Sequence, residues 1–313
     1  MNAAAARAGR TSYRGRFAPS PTGPLHFGSL VAALASYLDA RSRGGEWLVR
    51  IEDTDTPRIA PGAASGILRT LERCGLEWDG PVVYQSRRAE AYHAVVHELR
   101  QLGLVYPCGC SRREIADSAA AGIEGPVYSG KCRGGLPAGT RARALRIETR
   151  GAYVAFQDAL QGGIAQQLDK DIGDFIVYRA DGVYAYQLAV VVDDAEQGIT
   201  DVVRGADLIE STPRQMYLQS LLGLPRLRYL HVPVAVNERG EKLSKQTHAR
   251  PIDDAGPASA MAEALRFLGQ PTAPDLARAA PREMVAEAVR QWDVQRLPRA
   301  RHCPAAANPP SAR

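Results

Sequence analysis

Apolar residues follow two rhythms along this chain. At Leu30, Ala33, Leu34, Tyr37 and Leu38 they recur at helical spacing, which predicts an amphipathic helix. Ser29 is placed to cap its start, and Gly44-Gly45 to stop it. Tyr13 to Ala18 reads as a short strand before this helix, and Trp47 to Ile51 as a buried strand after it. Helical patterns follow over Ile67–Cys74 and over Ala89–Leu102, where Tyr92, Val95, Val96 and Leu99 share a face. Strand-like runs then come among glycine turns: Ala144–Glu148, Tyr153–Asp158 and Phe175–Arg179. Asp181-Gly182 between the last of these and Val183–Tyr186 signals a hairpin. After the apolar run Tyr186–Asp194, Ile199–Arg204 and Tyr229–Val236 read as strands. Ser211-Thr212-Pro213 starts a helix between them, with Pro pre-set for the first turn. Residues 254–269 and 280–292 read as short packing helices. Strands alternating with helices predict an α/β fold with a parallel sheet flanked by helices.

Composition narrows the class. The chain has 313 residues and is 45% hydrophobic, enough for a sizeable core and two domains. Its net charge of +5 suits a polyanionic partner, although the excess is modest. No apolar run reaches the length of a membrane span. Residues 1–12 lack the apolar core of a signal peptide and read as a floppy N-terminus of a cytoplasmic protein. The Pro/Ala-rich stretch 296–313, with Cys303, reads as a disordered tail.

Candidate chemistry concentrates in the turn between the first strand and the first helix, Arg16-Phe17-Ala18-Pro19-Ser20-Pro21-Thr22-Gly23-Pro24-Leu25-His26-Phe27-Gly28-Ser29. Glycine lets backbone approach a ligand, and a helix N-terminus offers free N–H groups to a phosphate. Most strand-turn-helix units only pack a sheet; the density of Pro, Thr, Gly and His sets this one apart. The second strand delivers Glu52-Asp53-Thr54-Asp55 at its C-terminal end, the end at which open parallel sheets bind ligands. Asp53 and Asp55 read equally well as a solvated acidic loop. His93 and His97 are four apart but have no third ligand, so they read as a solvated face. Downstream, Lys242-Leu243-Ser244-Lys245-Gln246 follows a strand and a turn, Asn237–Gly240.

Cysteine use points to metal rather than disulfides. Five cysteines, an odd and clustered set, do not make a disulfide framework. Cys74 lies on a helical face with Ile67 and Leu71 and reads as core. Cys108, Cys110 and Cys132 could hold zinc tetrahedrally with one further ligand. Glu114, Asp117, Glu124 and Tyr128 are the available fourth ligands, and three buried free cysteines are the alternative.

Pro-Ser-Pro-Thr-Gly-x-Leu-His-x-Gly resembles the nucleotide-binding signature of class I aminoacyl-tRNA synthetases in its glutamyl/glutaminyl form. Lys242-Leu243-Ser244-Lys245-Gln246 resembles the partner signature of that class. The resemblance implies a Rossmann-like catalytic domain in two halves, 1–104 and 186–250. Between them, 105–185 would be an inserted zinc-binding subdomain that meets the end of an RNA, followed by a short helical part, 251–295. It implies ATP as substrate, with magnesium, and L-glutamate as the acid activated. His26, Lys245 and Lys242 then face the phosphates, with Gly28 and Ser29 at the nucleotide. Arg16, Arg204 and Glu52 receive the carboxylates and ammonium of glutamate, with Phe17, Ala18, Pro19, Ser20 and Tyr186 completing the pocket. Arginine suits a two-pronged grip on a carboxylate.

Only about 67 residues follow Gln246, whereas a full glutamyl-tRNA synthetase continues into an anticodon-reading domain. The chain is therefore similar to the short branch of the family that attaches glutamate to queuosine in the anticodon of tRNA(Asp). That branch carries a Cys-x-Cys, Tyr, Cys site, which favours Tyr128 as the fourth ligand of one zinc ion; the expectation for this chain is a monomer with no membrane partner. Thr247 stands where the branch often has Asn. Two alternatives are a truncated synthetase charging the 3′ end of tRNA(Glu) and a non-enzymatic glutamate or nucleotide sensor. A small nucleotidyltransferase is more distant, since it would not need Arg16, Arg204 and Glu52 together.

Overall fold

The computed structural model describes residues 13–118, 120–243, 252, 256–272 and 279–305. Strand β1 (Arg14–Phe17), helix α1 (Phe27–Ser42) and strand β2 (Glu46–Ile51) form a βαβ unit, with β1 and β2 parallel in the register Phe17 to Val49. Helix α2 (Ala63–Arg73) leads to β3 (Val83–Tyr84), parallel to β2. Helix α3 (Ala89–Gln101) follows. The apolar face predicted for α1 is buried: Leu30, Leu34 and Leu38 are fully covered. Its cap differs from the expectation. The helix begins at Phe27 and His26 is the N-cap, its Nδ1 accepting the Ser29 N–H at 3.3 Å. Ser29 lies inside the first turn, because an imidazole nitrogen at 26 reaches the same free N–H that a serine would satisfy. Gly44, with φ of +66°, turns the chain out of the helix.

Next come β4 (Val105–Cys108), α4 (Arg112–Ser118), the short pair β5 (Ala121–Gly122) and β6 (Gly125–Pro126), β7 (Ala144–Ile147), the hairpin β8 (Tyr153–Asp158) and β9 (Gly162–Gln167), α5 (Leu168–Asp171) and β10 (Ile176–Tyr178). Strand β7 lies antiparallel between β4 and β10. Tyr92, Leu99, Ile147, Val177 and Leu188 are buried in one cluster, so this sheet packs on α3 before it and on the helix after it. The turn at Asp181-Gly182 closes with Arg179 N–H on the Val183 carbonyl at 2.9 Å, and Gly182 takes φ of +83°.

The second half runs α6 (Tyr186–Glu196), β11 (Asp201–Gly205), α7 (Thr212–Leu221), β12 (Arg228–Val232) and β13 (Val234–Val236). Strands β11 and β12 are parallel. Thr200 N–H bonds the Arg14 carbonyl at 2.9 Å, which lays this half against the free edge of β1. The strand order thus reverses between β1 and β11, and a crevice opens at their C-terminal ends.

Two expectations are corrected at the C-terminal end. Tyr229–Val236 is not one strand. Pro233, which has no N–H, separates β12 from β13, and each half takes a different partner. The tail expected to be disordered from 296 instead folds as far as 305: helices α8 (Pro257–Phe267) and α9 (Pro281–Gln291) are followed by β14 (His302–Pro304), parallel to β13, with Cys303 half-buried. Helices α8 and α9 bury Met261, Leu265 and Met284 in the same core as α1 and β2. At its centre Trp47 is fully covered, in edge contact with Tyr37 at 5.0 Å, its indole N–H on Ser36 Oγ at 2.9 Å.

Candidate active site

A cleft of about 490 Å³ opens at the crevice between β1 and β11. The turn after β1 brings Phe17, Ala18, Pro19 and Ser20 to it, and the start of α1 brings His26, Gly28 and Ser29. Arg16, Tyr186, Arg204, Lys242 and Leu243 line the same cleft. A Cβ on Gly28 would sit 3.3 Å from the Leu243 carbonyl, so the absence of a side chain lets the lysine segment cross the helix start closely. Lys242 Nζ donates to Asp207 Oδ2 at 2.5 Å. Ser244, Lys245, Gln246 and Thr247 lie outside the described residues.

Arg16 is buried and already engaged. Its Nε and Nη2 donate to the two carboxylate oxygens of Asp194 at 3.1 and 3.2 Å. Arg50, fully buried in β2, donates to Asp194 Oδ1 at 2.7 Å and to Glu52 Oε1 at 3.3 Å, and lies 3.8 Å from Asp193. One guanidinium therefore serves three carboxylates. Burial would raise the Asp194 carboxyl, but Arg16 and Arg50 hold it below its ordinary value. Glu52 shares Arg50 with both aspartates, and burial pushes its carboxyl up to about 7. Glu52 is not among the residues that line the cleft, but its charge acts on Tyr186, which is. Arg50 and Asp194 went unnoticed in the sequence. An arginine inside the buried run Trp47–Ile51 was the available signal, since a charge there needs partners.

Arg204 is held differently. Its Nη2 donates to Thr212 Oγ1 at 2.8 Å and Gln215 Oε1 at 2.9 Å, and its Nε to His231 Nε2 at 3.2 Å. Its Nη1 is buried and has no hydrogen-bond partner among the described residues. This leaves a fixed guanidinium with one nitrogen unpaired, the kind of group that pairs with a carboxylate oxygen. His231 is fully buried, and its Nδ1 lies 2.7 Å from Asp158 Oδ2.

The acidic loop resolves as structural at two positions. Asp53 accepts from Ser86 N–H and Oγ at 2.8 and 2.7 Å, and Asp55 pairs with Arg58 and Arg179. His93 and His97 are exposed, as expected.

The three cysteine sulfurs of Cys108, Cys110 and Cys132 lie within 4.8 Å of one another. The Tyr128 hydroxyl is 3.4 Å from Cys108 Sγ and 3.7 Å from Cys110 Sγ, and the Cys110 and Cys132 sulfurs are 3.6 Å apart. A tetrahedron with metal–sulfur bonds of about 2.3 Å separates its donors by about 3.7 Å, so this donor set fits a zinc-sized ion. Of the other fourth-ligand candidates, Glu124 pairs with Arg214 and Glu114 accepts from Ser111. The Asp117 side chain lies outside the described residues. Tyr128 is the oxygen the fold brings to the sulfurs.

Residues 12–272 match the family described as tRNA synthetases class I (E and Q), catalytic domain, and the chain belongs to that family. More particularly, it is 61% identical over 289 residues to a glutamyl-Q tRNA(Asp) synthetase of Dechloromonas aromatica, covering 92% of this chain and 96% of that protein. Proteins of the same name from Aromatoleum aromaticum and Pseudomonas aeruginosa are 56% and 53% identical, each over 92% of this chain and over 91% and 96% of their own lengths. The fold is that of glutamate-tRNA synthetase from Elizabethkingia anophelis, with a TM-score of 0.77 at 24% identity over 95% of this chain and 68% of that one.

Proposed function

We propose that this chain activates L-glutamate with ATP in the absence of RNA, then transfers the glutamyl group to the queuosine base in the anticodon of tRNA(Asp). The observation that carries this reading is Arg204 lining the crevice with one buried, unpartnered donor, in a chain 61% identical to a glutamyl-Q tRNA(Asp) synthetase. In the first step a glutamate carboxylate oxygen bonds to the α-phosphorus while the α–β bridging P–O bond breaks and pyrophosphate leaves. In the second, a hydroxyl of the queuosine diol bonds to the acyl carbon and AMP leaves. That diol is chemically like the ribose diol that synthetases acylate.

The side chains supply position and charge rather than a nucleophile. Arg204 receives a carboxylate through Nη1. Arg16, steadied by Asp194, adds positive potential at Ser20 and Tyr186, and Glu52 in its ionised form faces the ammonium. His26 and Lys242 approach the phosphates with Lys245, while Gly28 and Ser29 border the nucleotide. Magnesium would shield the pyrophosphate charge. Cys108, Cys110, Cys132 and Tyr128 would hold one zinc ion, which supplies a cross-link in the 105–185 segment, with no ligand position left open for catalysis. We place the enzyme in the cytoplasm as a monomer. Among the described residues no helix is long and apolar enough to cross a membrane.

Glutamate-dependent exchange of labelled pyrophosphate into ATP, measured without RNA, tests the first step. Exchange with glutamate and none with glutamine or aspartate is expected. Exchange that appears only after tRNA is added would favour an ordinary glutamyl-tRNA synthetase.

A further inference from the structure

We propose that Asp158 and His231 are positioning residues that set the donor direction of Arg204 by fixing the tautomer of one buried imidazole. The inference rests on the reading that Arg204 receives a glutamate carboxylate.

The geometry dictates the proton. Asp158 Oδ2 lies 2.7 Å from His231 Nδ1, and a carboxylate can only accept, so Nδ1 carries hydrogen. Nε2 is then a bare lone pair, and it meets the Arg204 Nε–H at 3.2 Å and the Thr212 hydroxyl at 3.1 Å. Arginine has only donors, so this contact exists only while Nε2 stays unprotonated. Asp158 is fixed in turn: Oδ1 accepts the N–H groups of Leu160 at 3.0 Å and Gln161 at 2.8 Å. Asp158 and His231 are 1% and 0% exposed. Water therefore has little access to replace either partner. With Nε tied to His231 and Nη2 to Thr212 and Gln215, Arg204 keeps Nη1 as its one unpartnered nitrogen among the described residues. Asp158 sits at the end of β8, in the segment expected to meet RNA, and so couples that hairpin to the amino-acid end of the cleft.

Asp158→Asn tests this with little change of shape. Its amide oxygen can keep the Leu160 and Gln161 bonds while its NH2 faces Nδ1. The imidazole must then carry its proton on Nε2, pointing a donor at the Arg204 donor. The expected result is a rise of about tenfold or more in the KM for glutamate in pyrophosphate exchange, since a hydrogen bond to a charged group is at stake. The KM for ATP and the rate at saturating glutamate should change little. His231→Gln, whose amide oxygen can stand in for Nε2, should raise the KM for glutamate less than Asp158→Asn does. Nitrogen NMR of labelled histidine reads the tautomer without substrate: bare Nε2 at His231 in the native protein, protonated Nε2 in the variant. A swapped tautomer with native glutamate KM would overturn the proposal, as would a native His231 carrying its proton on Nε2. A native protein with the expected tautomer but no glutamate-dependent exchange would refute the glutamate reading instead.

Discussion

Arg16 meets Asp194 through two parallel hydrogen bonds, of 3.1 and 3.2 Å, although 178 residues separate them in the chain. The arginine that the first strand delivers to the cleft is thereby anchored by the helix that opens the second half. Asp194→Ala should leave Arg16 and Arg50 short of a buried counter-charge. Breaking such a pair costs about 3–5 kcal/mol. Urea denaturation should show that loss, and a variant as stable as the native protein would contradict the anchoring role.

Glu52 should make glutamate binding depend on pH. Its folded pKa of about 7 is raised from an ordinary 4.5. If only the ionised form holds the substrate ammonium, the KM for glutamate should fall about tenfold between pH 6 and pH 8. Glu52→Gln should raise the KM and flatten this dependence. The same shift means that the Glu52 contribution to stability is full below 4.5 and is lost as pH rises through 7, by about 3 kcal/mol. A native KM that is flat across pH 6–8 would remove Glu52 from the ammonium site.

His231 bears the opposite slope. Burial, chiefly, lowers its pKa from 6.5 to about 4, against the pull of Asp158, with Arg204 adding to the depression. Its neutral form is the folded one. The stability it contributes is present above 6.5 and is lost as pH falls towards 4, by about 3 kcal/mol. Guanidinium melts at several pH values should show the gap between His231→Gln and the native protein narrowing by about that amount on acidification. A constant gap would mean that folding leaves the His231 pKa unshifted.

Lys245 should matter to the rate rather than to the fold. Lys245→Ala is expected to slow pyrophosphate exchange about 10²- to 10³-fold at saturating ATP, the usual loss for one transition-state donor. Lys242→Ala should slow it while leaving thermal stability unchanged, because its pair with Asp207 is half-exposed and such pairs contribute at most about 1 kcal/mol. Unchanged exchange in both variants would take the lysine segment out of the phosphate site.

Elemental analysis should find close to one zinc per chain. Cys132→Ser should lower both the zinc content and the melting temperature of the region around Cys108. Metal-free native protein with an unaltered melting temperature would leave the three thiols as plain buried cysteines.

Much of the cleft lining was legible in the sequence because its residues cluster: one turn carries Arg16 to Ser29, and its strand-turn-helix frame has a clear period. The cysteine set was legible for the same reason, within 25 positions. What went unread depends on contacts across the chain. Asp194 under Arg16, and Asp158 behind His231 and Arg204, join segments 73 to 178 residues apart. The run Tyr186–Asp194 folds as a helix buried on nearly every side, so it shows no polar face from which a period could be read. The tail misled because Pro and Ala lower strand propensity, yet His302–Pro304 takes its order from the edge of β13.

The central claim is tested most directly by following labelled glutamate onto tRNA(Asp) from cells with and without queuosine. The account predicts label only on the queuosine-containing tRNA, in the anticodon loop, weakening as salt is raised. Equal labelling of both preparations, or label found only on the 3′-terminal adenosine of tRNA(Glu), would contradict it.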